Sequence, residues 1–358
     1  MRIQKVELGE IQIPLVTPFK TALRTVTAVN DIVVKITADD GQVGYGEAPA
    51  TAVITGDTKG SIVTAIRDFI APAITGMDIE DIDGIMRKMQ KSIVKNTSAK
   101  AAVDMAVYDL YAKNLNKPLY KVLGGNQNSI ETDITISVNE TEEMVQDSLR
   151  GVEQGFRILK VKVGKEGLKD VERIAAIREA VGKEIVIRVD ANQGYDISRA
   201  LYAIEGFKKV GVEAVEQCLP YWDHAGMAQL RSKVVGMKLM LDESVHDPKD
   251  AAALIRSGCA DVLNIKLMKC GGLLPGMKIS DIAEANGVTC MVGCMLETKL
   301  AITAGVSLVA AKKNITEADC DSFMFYKDAE TGMSGGFDRQ NDRFILLDRP
   351  GLGVDVNF

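Results

Sequence analysis

Along the first 50 residues, apolar and polar positions alternate with a period of two. The runs are Ile11-Gln12-Ile13, Ile32-Val33-Val34-Lys35-Ile36 and, after the turn signal Asp40-Gly41, Val43-Gly44-Tyr45. Successive strand side chains point to opposite faces, so the pattern predicts a small antiparallel sheet with a hairpin at Asp40-Gly41. Between about 60 and 125 the period lengthens: Ile62–Phe69 and Ala101–Leu115 read as helices, with Val103, Ala106, Val107 and Leu110 on one face. Strands followed by helices predict an α+β domain over residues 1–125.

From about 130 onward, short β-branched runs are each followed by an amphipathic helical stretch. The runs are Thr132–Val138, Ile158–Val163, Ile185–Val189, Val212–Val215, Lys238–Leu241, Val262–Leu267, Val288–Val292 and a weaker Ile315–Ala318. At or near their C-terminal ends stand Thr135, Lys162, Asp190, Glu216, Asp242, Lys266, Cys294 and Asp319, with 24 to 28 residues between successive ends. So even a repeat, at the length of one βα unit, predicts a closed parallel barrel over residues 126–321. An open doubly wound sheet is disfavoured, since no GxGxxG follows a first strand. The last stretch, 322–358, returns to Gly-rich turns and a strand at Arg343–Leu347, with no barrel helix after the eighth strand. The fold class is therefore α/β: a (β/α)7β modified TIM barrel with an N-terminal α+β capping domain, on which the C-terminal segment packs.

Composition mainly removes functions. A chain of 358 residues exceeds the roughly 250–300 that one hydrophobic core organises, which suits a barrel plus a cap. Lys and Arg number 43 against 49 Asp and Glu, so the net charge of −6 lacks the broad positive field that nucleic acid or an anionic membrane requires, and neither is an expected partner. The opening Met1-Arg2-Ile3-Gln4-Lys5 begins no apolar leader and no later apolar run reaches 18 residues, which predicts a cytoplasmic protein. Six cysteines without a CxxC pair read as reduced, buried thiols. The only two histidines, His224 and His246, cannot build a multi-histidine zinc site and read as loop or capping residues.

Barrel enzymes carry their chemistry at the C-terminal ends of strands, and here three consecutive strands end in Asp190, Glu216 and Asp242. Any one alone would read as a helix cap, but three in succession read as a convergent set of hard oxygen ligands suited to Mg²⁺. Asn192 and Glu243, just past them, are placed to orient the ligands. Lys160 and Lys162 are two apart and share one face, and the like charge of Lys160 is expected to favour a neutral Lys162, a usable base. Lys266 ends the sixth strand and Lys162 the second, diametrically opposed in an eight-stranded barrel. That arrangement suits removal of a proton from one face of a carbon and its return to the other, through an enediolate. Asp319 and Asp321, two apart on the eighth strand, are placed to hold a positive group of the substrate. Cys294 reads as a small buried residue rather than a nucleophile.

These residues resemble the enolase superfamily, in its muconate lactonizing enzyme subgroup, and specifically the dipeptide epimerases. The likeness spans essentially the whole chain. It rests on Ala101-Ala102-Val103-Asp104-Met105-Ala106-Val107-Tyr108-Asp109-Leu110, Lys117-Pro118-Leu119 and Gly124-Gly125 in the cap, and in the barrel on Lys160-Val161-Lys162, Val189-Asp190-Ala191-Asn192, Val215-Glu216-Gln217, Leu241-Asp242-Glu243-Ser244 and Asn264-Ile265-Lys266. The resemblance implies one Mg²⁺ per subunit on Asp190, Glu216 and Asp242, acid/base catalysis by Lys162 and Lys266, and a substrate carboxylate polarised by Lys160. It implies that Asp319 and Asp321 grip a dipeptide α-ammonium, and that Thr135, Cys294 and Leu296 contact substrate, Cys294 standing where the family carries serine. Arg24, in the cap loop Phe19–Arg24, matches an arginine that pairs with a substrate glutamate side chain, and Thr51–Thr58 forms a second cap loop. The implied activity is epimerisation of L-Ala-D/L-Glu and of other L-Ala-L-Xaa dipeptides in murein peptide metabolism, by a homo-oligomer. Two other readings remain: o-succinylbenzoate synthase chemistry on the same framework, whose substrate has no ammonium for Asp319 and Asp321, and a catalytically silent small-molecule-binding barrel.

Overall fold

The computed structural model describes residues 1–164, 166–327 and 330–357. The alternating N-terminal run folds as β1 (Ile3–Lys20), β2 (Thr25–Ala38) and β3 (Val43–Pro49), an antiparallel sheet in that order. Gly41 closes the β2–β3 turn at φ +87°, a value that glycine reaches without steric cost. Helix α1 (Lys59–Thr64) continues through a π-helical turn, Ala65–Ile70, into α2 (Ala71–Ile74), so the predicted Ile62–Phe69 helix is present but kinked in its hydrogen bonding. Helices α3 (Ile82–Ser92), α4 (Thr97–Asn114) and α5 (Leu119–Val122) complete the cap.

Helix α4 is buried on nearly every side from Ser98 to Leu110. Small residues make this packing geometry available. A Cβ added to Gly44 or Gly46 of β3 would lie 2.1 or 1.9 Å from the carbonyl oxygens of Ala106 and Ala102, so only glycine permits the sheet to approach the helix this closely. Each fully buried Val, Leu or Met on this helix then contributes roughly 1.5–3 kcal/mol of apolar burial.

After β4 (Ser129–Glu131) comes the barrel, an eight-stranded parallel sheet in chain order. Its strands are β5 (Ile134–Ile136), β6 (Ile158–Lys162), β7 (Val186–Asp190), β8 (Val212–Glu216), β9 (Lys238–Leu241), β10 (Val262–Ile265), β11 (Thr289–Gly293) and β12 (Ile315–Asp319). Between them run α6 (Thr141–Glu153), α7 (Leu168–Val181), α8 (Ile197–Lys209), α9 (His224–Lys233), α10 (Pro248–Arg256), α11 (Leu267–Cys270), α12 (Leu273–Ala285) and α13 (Lys299–Ala311). A 3₁₀ turn, Ser322–Met324, follows β12 where an eighth helix would stand. The protein is thus α/β, with an antiparallel cap on a (β/α)7β barrel.

Two barrel strands depart from their predicted ends by two residues, and the others agree to within one. The sixth stops at Ile265 because the chain turns into α11, leaving Lys266 extended just before a helical turn. The first shrinks to Ile134–Ile136 because its flanks close the barrel instead of extending a ladder. Across the β5–β12 seam, Asp133 N–H donates to Ala318 O (3.3 Å), Cys320 N–H to Thr132 Oγ1 (3.0 Å) and Thr135 N–H to Asp321 Oδ2 (2.5 Å).

Strands β13 (Met333–Gly335), β14 (Phe337–Gln340), β15 (Arg343–Leu346) and β16 (Val354–Val356) form two small sheets, and β15 pairs with β4. Within the predicted C-terminal stretch, residues 328, 329 and 358 lie outside the described residues. Around them the chain meets the cap: Val16 N–H donates to Phe325 O (2.8 Å) and Leu352 N–H to Asp109 Oδ1 (2.7 Å).

Two cap carboxylates dock on N-termini of barrel helices, where free N–H groups and the helix dipole favour negative charge. Glu47 of β3 accepts from Thr298 N–H (2.8 Å), Thr298 Oγ1 (2.7 Å) and Ala301 N–H (3.1 Å) at α13. Asp104 of α4 accepts from Leu273 N–H (2.6 Å) and Leu274 N–H (3.3 Å) at α12. Replacing Glu47 strands those buried donors, so Glu47→Ala is expected to lower unfolding stability by about 3 kcal/mol in urea denaturation. An unchanged midpoint and slope would contradict this docking role.

Candidate active site

Strand alternation sends Lys160 and Lys162 of β6 into the barrel, where they are buried, while Val161 packs outward. The ends of β7, β8 and β9 bring Asp190, Glu216 and Asp242 together, all buried, with one oxygen of each within 4.8 Å of the others. Asp133, Asp319 and Asp321 form a second such group. These distances and the donor chemistry of the first group, carboxylates without imidazole or thiolate, fit a hard divalent cation.

Four lysines answer the carboxylates. Lys160 Nζ lies 2.6 Å from Asp319 Oδ2, 2.8 Å from Glu216 Oε2 and 3.3 Å from Asp190 Oδ2. Lys162 Nζ lies 2.7 Å from Asp190 Oδ2, and Lys266 Nζ 2.8 Å from Asp242 Oδ2. Lys269 Nζ lies 2.5 Å from Asp242 Oδ1. Burial opposes the charge on Lys160, but Asp319, Glu216, Asp190 and Asp242 outweigh it and hold its pKa well above the usual range. Its charge is therefore matched by carboxylates, and Lys162 has its own carboxylate partner in Asp190. Burial disfavours the Asp242 carboxylate too, yet Lys266, Lys269 and Lys160 pull its pKa far below the ordinary value. At Glu216, burial and then the neighbouring Asp190 charge prevail, raising it to about 7.

Orienting contacts surround this group. Asn192 N–H donates to Asp190 Oδ1 (2.8 Å), and its Nδ2 donates to Glu243 Oε1 (3.2 Å). Three residues that the sequence reading gave no role also belong here. Asn264 Nδ2 donates to Glu216 Oε1 (2.8 Å), and Gln217 Oε1 accepts from Asp242 N–H (3.0 Å) and Ser244 N–H (3.2 Å). Lys269, the third, also donates to the carbonyls of Asp242 and Asn264. Its signal was the three-residue step from Lys266, one helical turn, hidden while Leu267 was read as strand. At Gly293 a Cβ would lie 2.7 Å from Asn264 Oδ1 and 3.0 Å from Lys266 Cε, so glycine keeps room for both side chains.

A small cavity opens over these groups. Lys162 and Lys266 reach it from β6 and the end of β10, with three strands between them. Thr135, Cys294, Leu296, Asp319 and Asp321 also line it, as do Asn192, Asp242 and Glu243; Lys160 lies beneath, held by its ion pairs. From the cap come Phe19, Leu23, Arg24 and Ile54. Among the described residues no carboxylate lies within 4 Å of the Arg24 guanidinium, and burial lowers its pKa. Cys294 is half-buried, and burial followed by the charges of Asp321 and Asp319 pushes its thiol well up, away from nucleophilic thiolate. His224 opens α9, and His246 packs edge-on against Tyr221, outside the cavity lining.

The loop after β11 is tied to the segment after β12 through Glu297. Its carboxylate accepts from Met295 N–H (2.8 Å) and its carbonyl from Ser322 Oγ (2.7 Å) and Tyr326 OH (3.2 Å). Burial chiefly, with the Glu47 charge adding to it, raises Glu297 to about 8. A carboxyl that holds its proton to about 8 when folded, against 4.5 unfolded, stabilises fully below pH 4.5 and loses that contribution as the pH climbs to 8. Stability measured by urea denaturation is expected to fall from pH 5 to 8, and Glu297→Gln to flatten that slope by up to about 1.4 kcal/mol per pH unit. Identical slopes in both proteins would contradict the assignment.

Residues 5–124 match the mandelate racemase / muconate lactonizing enzyme N-terminal domain family, and residues 143–358 the enolase C-terminal domain-like family. The chain is 46% identical over 357 residues to the L-Ala-D/L-Glu epimerase of Clostridium acetobutylicum, covering 99% of each chain. A solved substrate-liganded complex of the Bacillus subtilis L-Ala-D/L-Glu epimerase is similar at TM-score 0.97 and 42% identity, again over 99% of each chain. The dipeptide epimerase of Enterococcus faecalis, solved with Mg and the dipeptide L-Leu-L-Tyr, is similar at TM-score 0.96 and 39% identity over 99% of each.

Proposed function

The chain belongs to the enolase superfamily, within the mandelate racemase / muconate lactonizing enzyme family, and from that membership we propose a Mg²⁺-dependent dipeptide epimerase that moves the α-proton of the C-terminal residue of L-Ala-D/L-Glu and other L-Ala-L-Xaa dipeptides. It is an isomerase acting on amino acid derivatives. The observation that carries this reading is a single cavity reached by two buried lysines from opposed strands, beside a cluster of three buried carboxylates. Asp190, Glu216 and Asp242 would hold the metal. A divalent cation bound there supplies positive charge to the substrate carboxylate while the adjacent carbon is deprotonated.

The chain's own groups do the rest. Lys162 takes or returns a proton on one face of the α-carbon and Lys266 on the other, so proton loss to one and gain from the other inverts the centre. Lys160 contributes charge to the substrate carboxylate, and Asn192 and Glu243 orient the ligands. Asp319 and Asp321 bind the α-ammonium beside Thr135, with Cys294 and Leu296 against the dipeptide backbone. Those two carboxylates favour this reading over a dehydration of an amine-free substrate, and retention of both lysines favours it over a silent barrel. An unpaired, part-buried guanidinium among Phe19, Leu23 and Ile54 suits a side-chain carboxylate, which supports glutamate as the second residue. We further place the protein in the cytoplasm, as a homo-oligomer in murein peptide metabolism. The net charge of −6 supports the absence of a nucleic-acid or membrane-surface partner, and no helix among the described residues is long and apolar enough to cross a membrane.

Lys162→Ala and Lys266→Ala are each expected to abolish epimerisation, while each keeps solvent-deuterium exchange from one epimer of L-Ala-Glu only, followed by NMR in D₂O. Normal epimerisation by either variant would overturn the two-base assignment, and so would full wild-type activity after exhaustive chelation.

Arg24→Ala should weaken L-Ala-L-Glu turnover and largely spare L-Ala-L-Met, since the other site groups act on atoms common to all dipeptides. The expected change in the Glu-to-Met ratio of kcat/KM is on the order of 10- to 100-fold, about 1.4–2.7 kcal/mol. An unchanged ratio would leave Arg24 without a part in specificity.

A further inference from the structure

One buried carboxylate has no part in the reading above. Asp133 lies just before β5 on the barrel seam and is fully buried, and neither of its carboxylate oxygens has a hydrogen-bond partner. One of its oxygens lies within 4.8 Å of oxygens of both Asp319 and Asp321. The cation within 4 Å of it is Arg188, at 3.9 Å, and that guanidinium is held closer by Glu213 (2.8 Å) and Glu317 (3.2 Å). Lys160 is shared among Asp319, Glu216 and Asp190. Three carboxylates therefore converge in the interior, and of these Asp319 has Lys160 (2.6 Å) and Asp321 the Thr135 N–H (2.5 Å), whereas Asp133 has no donor. A buried carboxylate without donors is strongly disfavoured. An ion that prefers oxygen ligands alone is the partner able to satisfy three of them together.

We propose that Asp133, Asp319 and Asp321 form a second divalent-cation site, separate from the Asp190–Glu216–Asp242 cluster, which fills when no amine occupies the cavity and empties when a dipeptide ammonium enters. The existence of the site stands on Asp133 and its two neighbours. Its emptying rests on the reading of Asp319 and Asp321 as ammonium partners. The two positions also differ in what surrounds them. Lys160, Lys162, Lys266 and Lys269 all pair with ligands of the first cluster, whereas among the described residues only Lys160 and Arg188 come within 4 Å of a carboxylate of the second. The consequence for turnover is inhibition by excess metal, competitive with the free-amine substrate.

The test counts Mn²⁺ on the full chain by equilibrium dialysis, with the electron paramagnetic resonance spectrum of the bound ions as a second readout. The free protein is expected to bind two Mn²⁺ per chain, the protein saturated with L-Ala-L-Glu one, and the protein with N-acetyl-L-Ala-L-Glu, which lacks the ammonium, two. Asp133→Asn should bind one. Should that variant fail to fold by circular dichroism, Asp321→Asn makes the same count from the other side of the seam. In steady state, Mn²⁺ at ten times the second-site Kd should raise the apparent KM for L-Ala-L-Glu about 11-fold with kcat unchanged. One Mn²⁺ in the free wild-type protein overturns the proposal, as does a second ion that Asp133→Asn retains. Equal kcat/KM for acetylated and free dipeptides would overturn the ammonium reading instead, and the ion counts with and without Asp133 would still decide the cation site.

Discussion

Lys160, buried and drawn at once by Asp319, Glu216 and Asp190, is the contact on which the interior of the barrel depends. An ammonium at that depth would shed its proton unless carboxylates surrounded it, and carboxylates at that depth would take up protons unless an ammonium stood among them. Each sign makes the other tenable. The same reciprocity repeats outward: Lys162 with Asp190, Lys266 and Lys269 with Asp242, Arg188 with Glu213 and Glu317. A core of this kind is held in register by charge as much as by shape, since moving one strand end would leave several ions without partners.

The cap meets that core through buried carboxyl groups as well. Glu47 and Asp104 sit on the N-termini of α13 and α12, helices that follow the strand ends lining the cavity. Arg24, Phe19 and Leu23 reach the cavity from the β1–β2 loop of the same cap sheet. The docking carboxylates and the lining residues thus belong to the same cap, so the β1–β2 loop meets the cavity from a cap that is anchored on two helix N-termini some distance away.

Much of this was legible in the chain. The even spacing of Asp190, Glu216 and Asp242 placed them on neighbouring strand ends, and the two-residue step from Lys160 to Lys162 put both inside. Asp319 and Asp321 emerged in the same way. What escaped were features set by geometry that no period encodes. Lys269 was hidden because the chain turns helical one residue after Lys266. Gln217 orients Asp242 from a left-handed backbone, φ +36°, that nothing in its side chain announces. The contacts of Glu47 and Asp104 span 251 and 169 residues of sequence and follow no local pattern. Asp133 was within reach, standing two residues before Thr135 and hence on the same face of the first strand.

The seam between β5 and β12 differs from every other join in the barrel. No ladder crosses it; the strands are held by Asp133 N–H, the Thr132 hydroxyl and the Asp321 carboxylate. Anything gripped by Asp319 and Asp321 beside Thr135 therefore lies across a joint of the scaffold, bracing it as a splint would. Release of that guest would loosen the wall that held it, so the mechanical compliance of the barrel at this one joint becomes part of how quickly the cavity exchanges its contents.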